Sequence, residues 1–69
     1  MINIFHSGGC YYNVKLSYEA MMAILQDKII EEDYFIEFRF SDDSKGAIRK
    51  KHINGICDSL EYDGGKNNV

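Results

Sequence analysis

The chain has 69 residues, 45% of them hydrophobic, with five Tyr, four Phe and no Trp; that length gives a single small domain with a thin stability margin, and that composition excludes a disordered chain. Its formal charge of −3 gives no general reason to expect nucleic acid and falls well short of the acidity of a DNA mimic. No run approaches the roughly 18 apolar residues of a membrane span, and no basic region followed by an apolar stretch opens the chain, so a cytoplasmic location without membrane contact is expected.

Along the chain, Ile2 to His6 reads as a short strand and Cys10 to Leu16 as a second one rich in β-formers. A three-residue loop of Ser7, Gly8 and Gly9 sets His6 opposite Cys10, Ile4 opposite Tyr12 and Ile2 opposite Val14, which collects the apolar residues on one face. Ser17 is a suitable N-cap, Glu19 suits the first turn of a helix, and Tyr18, Met21, Met22, Leu25 and Ile29 recur at helical spacing. These predict a helix over residues 18 to 31 whose methionine stripe is core. Tyr34 to Phe40 alternates as a central strand that packs Tyr34, Ile36, Phe38 and Phe40, and residues 41 to 46 form its turn. Residues 47 to 53 and 56 to 62 then read as a hairpin about Asn54-Gly55, with Ile53 facing Ile56, His52 facing Cys57 and Lys51 facing Asp58. Lys50 falls at the parity of the covered face, which requires a bulge or a different register there. The order predicts an α+β fold of ββαβββ type: a mostly antiparallel sheet with one helix packed on one face, a domain over residues 1 to 63, and a polar tail over 64 to 69.

Four side chains bear on metal chemistry. His6, Cys10, His52 and Cys57 are a ligand set of the kind that holds tetrahedral zinc, but no Cys-x-x-Cys or His-x(3–5)-His knuckle accompanies them. The favoured reading makes the cysteines small buried hydrophobes and puts the histidines at sheet margins, so no cofactor is expected. A Cys10–Cys57 disulfide requires the two Cα atoms to come within about 6 Å. A nucleophilic Cys57 assisted by His52 lacks an orienting third group and a cleft, and no catalysis is expected. Arg39, Arg49, Lys50 and Lys51, with Lys15, make a basic strand patch that suits phosphates, and Tyr11, Tyr12 and Phe35 offer stacking surfaces. This supports an alternative reading as a nucleic-acid-binding regulator, although Glu37, Asp58 and Glu61 oppose the patch. Phe35, Ile53, Ile56 and Leu60 are expected to share the face opposite the helix, an interaction surface for a protein partner or for a second copy in a two-fold homodimer.

The run Lys50-Lys51-His52-Ile53 before a turn resembles the Lys-His-Ala-Ile segment of the bacterial Sm-like RNA chaperones. That family places its helix before all the strands, whereas here the helix follows two of them, so no function is carried over. In overall style, a short proline-free chain rich in Ile, Lys, Asn, Asp and Tyr resembles the orphan proteins of phages and mobile elements. That class includes inhibitors of host enzymes and anti-CRISPR proteins, and the resemblance implies a non-enzymatic inhibitor or accessory factor that occupies a partner's surface.

Overall fold

A computed structural model of the chain describes residues 1–59. The elements run β1 (Ile2–His6), β2 (Gly9–Val14), α1 (Tyr18–Gln26), β3 (Phe35–Arg39), β4 (Lys45–Arg49), a 3-10 turn (Lys50–His52) and β5 (Ile53–Asp58). This is the expected α+β order, but the strands form two antiparallel sheets, β2-β1-β5 and β3-β4, in place of one. Leu60 and the expected tail over 64 to 69 lie outside the described residues.

A bulge explains the division. Asn13 adopts a left-handed backbone with φ 57°, a conformation Asn tolerates better than most residues. Its N–H donates to Asn3 Oδ1 at 3.0 Å. At this end the strand also meets the end of β3: Ser41 N–H donates to Asn13 O at 2.9 Å, Lys15 N–H donates to Arg39 O at 2.8 Å, and Val14, still paired with Ile2, bridges Phe40. One extra residue thus bends the strand out of one sheet and into contact with the next.

Both sheets turn their apolar sides to one core, in which Ile2, Ile4 and Val14 meet Ile36, Phe38 and Ile48, with Met21 of the helix buried among them. The helix starts where expected, with Ser17 Oγ accepting from Ala20 N–H at 3.0 Å. It stops five residues short of the expected residue 31. Asp27 leaves helical conformation, and its carboxylate accepts from Ile29 N–H at 2.9 Å, a local alternative to the next helical hydrogen bond. Ile29, expected on the packed stripe, is 88% exposed.

Two turns also differ from expectation. The first hairpin turns on Ser7 and Gly8 alone, so Gly9 pairs with His6, Cys10 with Phe5 and Tyr11 with Ile4. The Asn13 bulge absorbs the one-residue offset and returns Val14 to Ile2, as expected. The second hairpin is β3–β4, whereas Asn54-Gly55 lies inside β5, which pairs along β1 from Ile53↔His6 to Asp58↔Ile2. Asn-Gly permits a tight turn without requiring one, and burying Ile53 and Ile56 against the core favours the long-range pairing.

Candidate functional site

The outer face of the three-stranded sheet follows from strand parity. Because Ile2 and Ile4 point into the core, Asn3 and Phe5 point out, and Met1 shares their parity. Cys10 lies opposite Phe5 on β2, and Tyr12 alternates with the inward Tyr11. On β5, Gly55 and Cys57 oppose Phe5 and Asn3. Met1 is 47%, Phe5 41% and Tyr12 64% exposed, and none of these outward side chains carries a charge. The helix contributes to the core on the other side of this sheet, so no described element covers the face.

The expected surface does not form as one patch. Ile53 and Ile56 are half-buried against the core, whereas Phe35 stands on the other sheet beneath the Arg49 guanidinium, 4.7 Å from the ring centroid. Leu60 is outside the described residues.

The two His/Cys pairs are not brought together. The one-residue change in the first hairpin turns Cys10 to the outer face while His6 packs on Tyr11, with ring centroids 4.4 Å apart. His52 and Cys57 run in succession along the chain, His52 in the 3-10 turn and Cys57 near the far end of β5, instead of facing each other across a turn. No group of three or more His, Cys, Asp or Glu suited to a metal ion occurs among the described residues. Cys10 and Cys57 are free thiols on the two strands flanking β1, opposite Phe5 and Asn3, a separation of about 12 Å that no disulfide spans. Cys57 Sγ instead lies 3.9 Å from the Asn3 amide nitrogen. Gly8 N–H donates to His6 Nδ1 at 3.1 Å, which leaves the hydrogen on the buried Nε2 without an acceptor.

The basic patch is divided as well. Lys50 is buried, and its Nζ donates to Asp27 O at 2.8 Å and Ile30 O at 2.7 Å. Lys51 pairs with Asp33 at 2.7 Å, and its hydrogen bond and charge hold the Asp33 carboxyl below the usual carboxylate range. Arg49 lies 3.9 Å from the same carboxylate. Arg39 donates to Asp43 O at 2.9 Å, and Lys15 pairs with the Asp43 carboxylate at 2.7 Å and lowers its pKa. Hydrogen bonds from Ser44 likewise lower that of Asp42. A groove of about 930 Å³ crosses the β3–β4 hairpin, lined by Lys15, Glu37 and Arg39 on one side and Lys45, Gly46 and Ala47 on the other. Lys45 was not among the residues singled out from the sequence, because an isolated lysine in a turn carries no pattern.

No described helix is long and apolar enough to cross a membrane. Comparison with known proteins returns no matching family model, no matching curated protein and no matching solved structure.

Proposed function

We propose that the chain is a small non-enzymatic protein–protein interaction module that works by covering a partner's surface. The observation that carries this reading is the outer face of β2-β1-β5, whose side chains are uncharged and where Met1, Phe5 and Tyr12 are all more than 40% exposed. In a chain with 28% charged residues, three large apolar side chains on one open sheet face mark a surface suited to docking. The compositional likeness to phage and mobile-element proteins supports an inhibitor or accessory role within that reading. A nucleic-acid role gains no comparable support, since Lys50 is buried and Lys51, Arg49 and Lys15 each lie beside a carboxylate.

Affinity capture from a bacterial lysate tests the proposal. The expected result is a stoichiometric protein partner that Phe5→Asp and Tyr12→Asp variants, folded by circular dichroism, no longer retain. Recovery of nucleic acid without such a partner, or capture indifferent to both substitutions, overturns it.

A further inference from the structure

A cleft of about 420 Å³ lies between the two sheets, away from the groove beside Lys15. The first hairpin contributes His6 and Tyr11 to its lining, the β3–β4 hairpin contributes Phe35, Ala47 and Arg49, and the 3-10 turn contributes His52. His6 has the parity of Ile2 and Ile4, which is why a residue at the end of β1 reaches the space between the sheets. Its ring is held from two sides, by the Gly8 N–H on Nδ1 at 3.1 Å and by the Tyr11 ring at 4.4 Å.

The polar groups of this lining define what it lacks. Because Nδ1 accepts from Gly8, the His6 hydrogen sits on Nε2, a buried atom with no hydrogen-bond partner. A buried donor left unmet is costly, and an acceptor brought into the cleft would relieve it. A metal ion is not that partner: it needs a bare Nε2, and moving the hydrogen to Nδ1 would set it against the Gly8 N–H. Charge is supplied by Arg49, whose guanidinium stands 4.7 Å over the Phe35 ring. Asp33 lies 3.9 Å from Arg49 but is held at 2.7 Å by Lys51, and Lys50 and Glu32 offset each other, so the end of β4 and the 3-10 turn keep one positive charge over. No Asp or Glu lines the cleft, and Glu37, opposite Ala47 on the ladder, lines the Lys15 groove instead.

We propose that this cleft binds a small carboxylate on an apolar body, with Arg49 and the His6 Nε2–H on its two oxygens and the Tyr11 and Phe35 rings against the body. One uncompensated cation and one orphaned donor match a monoanion with two oxygens, whereas a phosphate dianion calls for more of both. Nε2 exposes less than 1 Å², so an oxygen reaches it as the exposed side chains of Ser7 and His52, which border the same cleft, swing aside. The same chemistry belongs to a free aromatic acid and to the C-terminal carboxylate of a polypeptide. Met1, Phe5 and Tyr12 take no part in the lining, so the site does not rest on the interaction reading.

The test uses the full chain and 3-phenylpropionate, added to about 10 mM because so small a ligand binds in the millimolar range, and followed by nuclear magnetic resonance. Shifts centred on His6, Ser7, Ala47 and Arg49 are expected, and the His6 Nε2–H signal should move downfield as it gains an acceptor. The Arg49→Gln variant, folded by its amide dispersion, should bind at least about tenfold more weakly. The wild-type His6 ring signal decides the matter should that variant not fold. N-acetylphenylalanine, which presents the same carboxylate as a chain end does, separates the two sources: tighter binding than 3-phenylpropionate assigns the cleft to a polypeptide terminus, and weaker binding assigns it to a free acid. Tyr12→Asp should bind as the wild type does, so loss here and loss of the uncharged-face contact are read separately. No shift at that concentration, an unmoved Nε2–H signal, equal binding of 3-phenylpropanamide, or tighter binding of inorganic phosphate overturns the proposal.

Discussion

Two glycines are constrained for opposite reasons. A Cβ on Gly46 would lie 2.7 Å from Phe38 Cε1 and 2.9 Å from Phe40 Cε2, inside the cluster in which the Phe38 and Phe40 rings stand edge to face at 5.3 Å and both meet Tyr11. Gly46 is there because the rings occupy the space a methyl would need. Gly9 has nothing within 4 Å of its Cβ position, but its φ of 144° is one that L-residues rarely adopt. Overpacking predicts a cost of about 1–3 kcal/mol for Gly46→Ala, and backbone strain predicts about 1–2 kcal/mol for Gly9→Ala. A double-mutant cycle in urea separates the causes: Phe38→Leu makes room, so it should couple favourably with Gly46→Ala and add independently to Gly9→Ala. Equal coupling in both cycles would show that the two sites share one origin of strain.

At the level of elements, Lys50 links the segment after the helix to the strand that precedes β5. Its Nζ occupies the carbonyls of Asp27 and Ile30, its N–H bonds Tyr34 O, and Glu32 lies 3.9 Å from the ammonium. Lys50→Met keeps the stem and removes the donors, leaving two carbonyls to find water; a loss of about 1–3 kcal/mol is expected. Amide exchange should quicken in residues 27–34 before the sheets open. An unchanged melting temperature together with unchanged exchange would remove Lys50 from this role. The same residue explains why the end of the helix was illegible. No Gly or Pro stands between Gln26 and Gly46, and the partner that fixes the segment just beyond the helix lies more than twenty positions along the chain. The inward parity of Lys50 was readable, and the conflict it raised is resolved because β4 ends at Arg49. Strand identity was legible from alternation, as at Ile36 and Phe38, which are both buried. Register was not, since a loop shorter by one residue moved Cys10 to the opposite face and separated the histidine–cysteine pairs. Phe5 could have been placed outward from its alternation with Ile2 and Ile4, whereas grouping Phe35 with Ile53 and Ile56 depended on a hairpin that Asn54-Gly55 does not make.

For the molecule as a whole, the uncharged face also determines how two copies can meet. Each chain carries a net charge of −3, so contact through most of its surface sets like charges against each other, whereas a two-fold contact through the Phe5 and Tyr12 side chains does not. Three strands about 4.8 Å apart and five residues long present a face of about 14 by 17 Å. Even with flanking side chains this is smaller than the roughly 800 Å² per partner of a standard stable interface, so any such dimer is weak. Self-association is therefore expected to depend on concentration, with the mass by light scattering rising from 8.0 kDa toward twice that as the chain is concentrated through the micromolar range and above. Tyr12→Asp places a carboxylate on each side of the two-fold contact and should hold the mass at 8.0 kDa with the fold retained. Lys45→Glu, on the other sheet, should leave the association unchanged. A mass of 8.0 kDa at every concentration would leave the face to a foreign partner alone, and a dimer that survives Tyr12→Asp would move the self-contact to another surface.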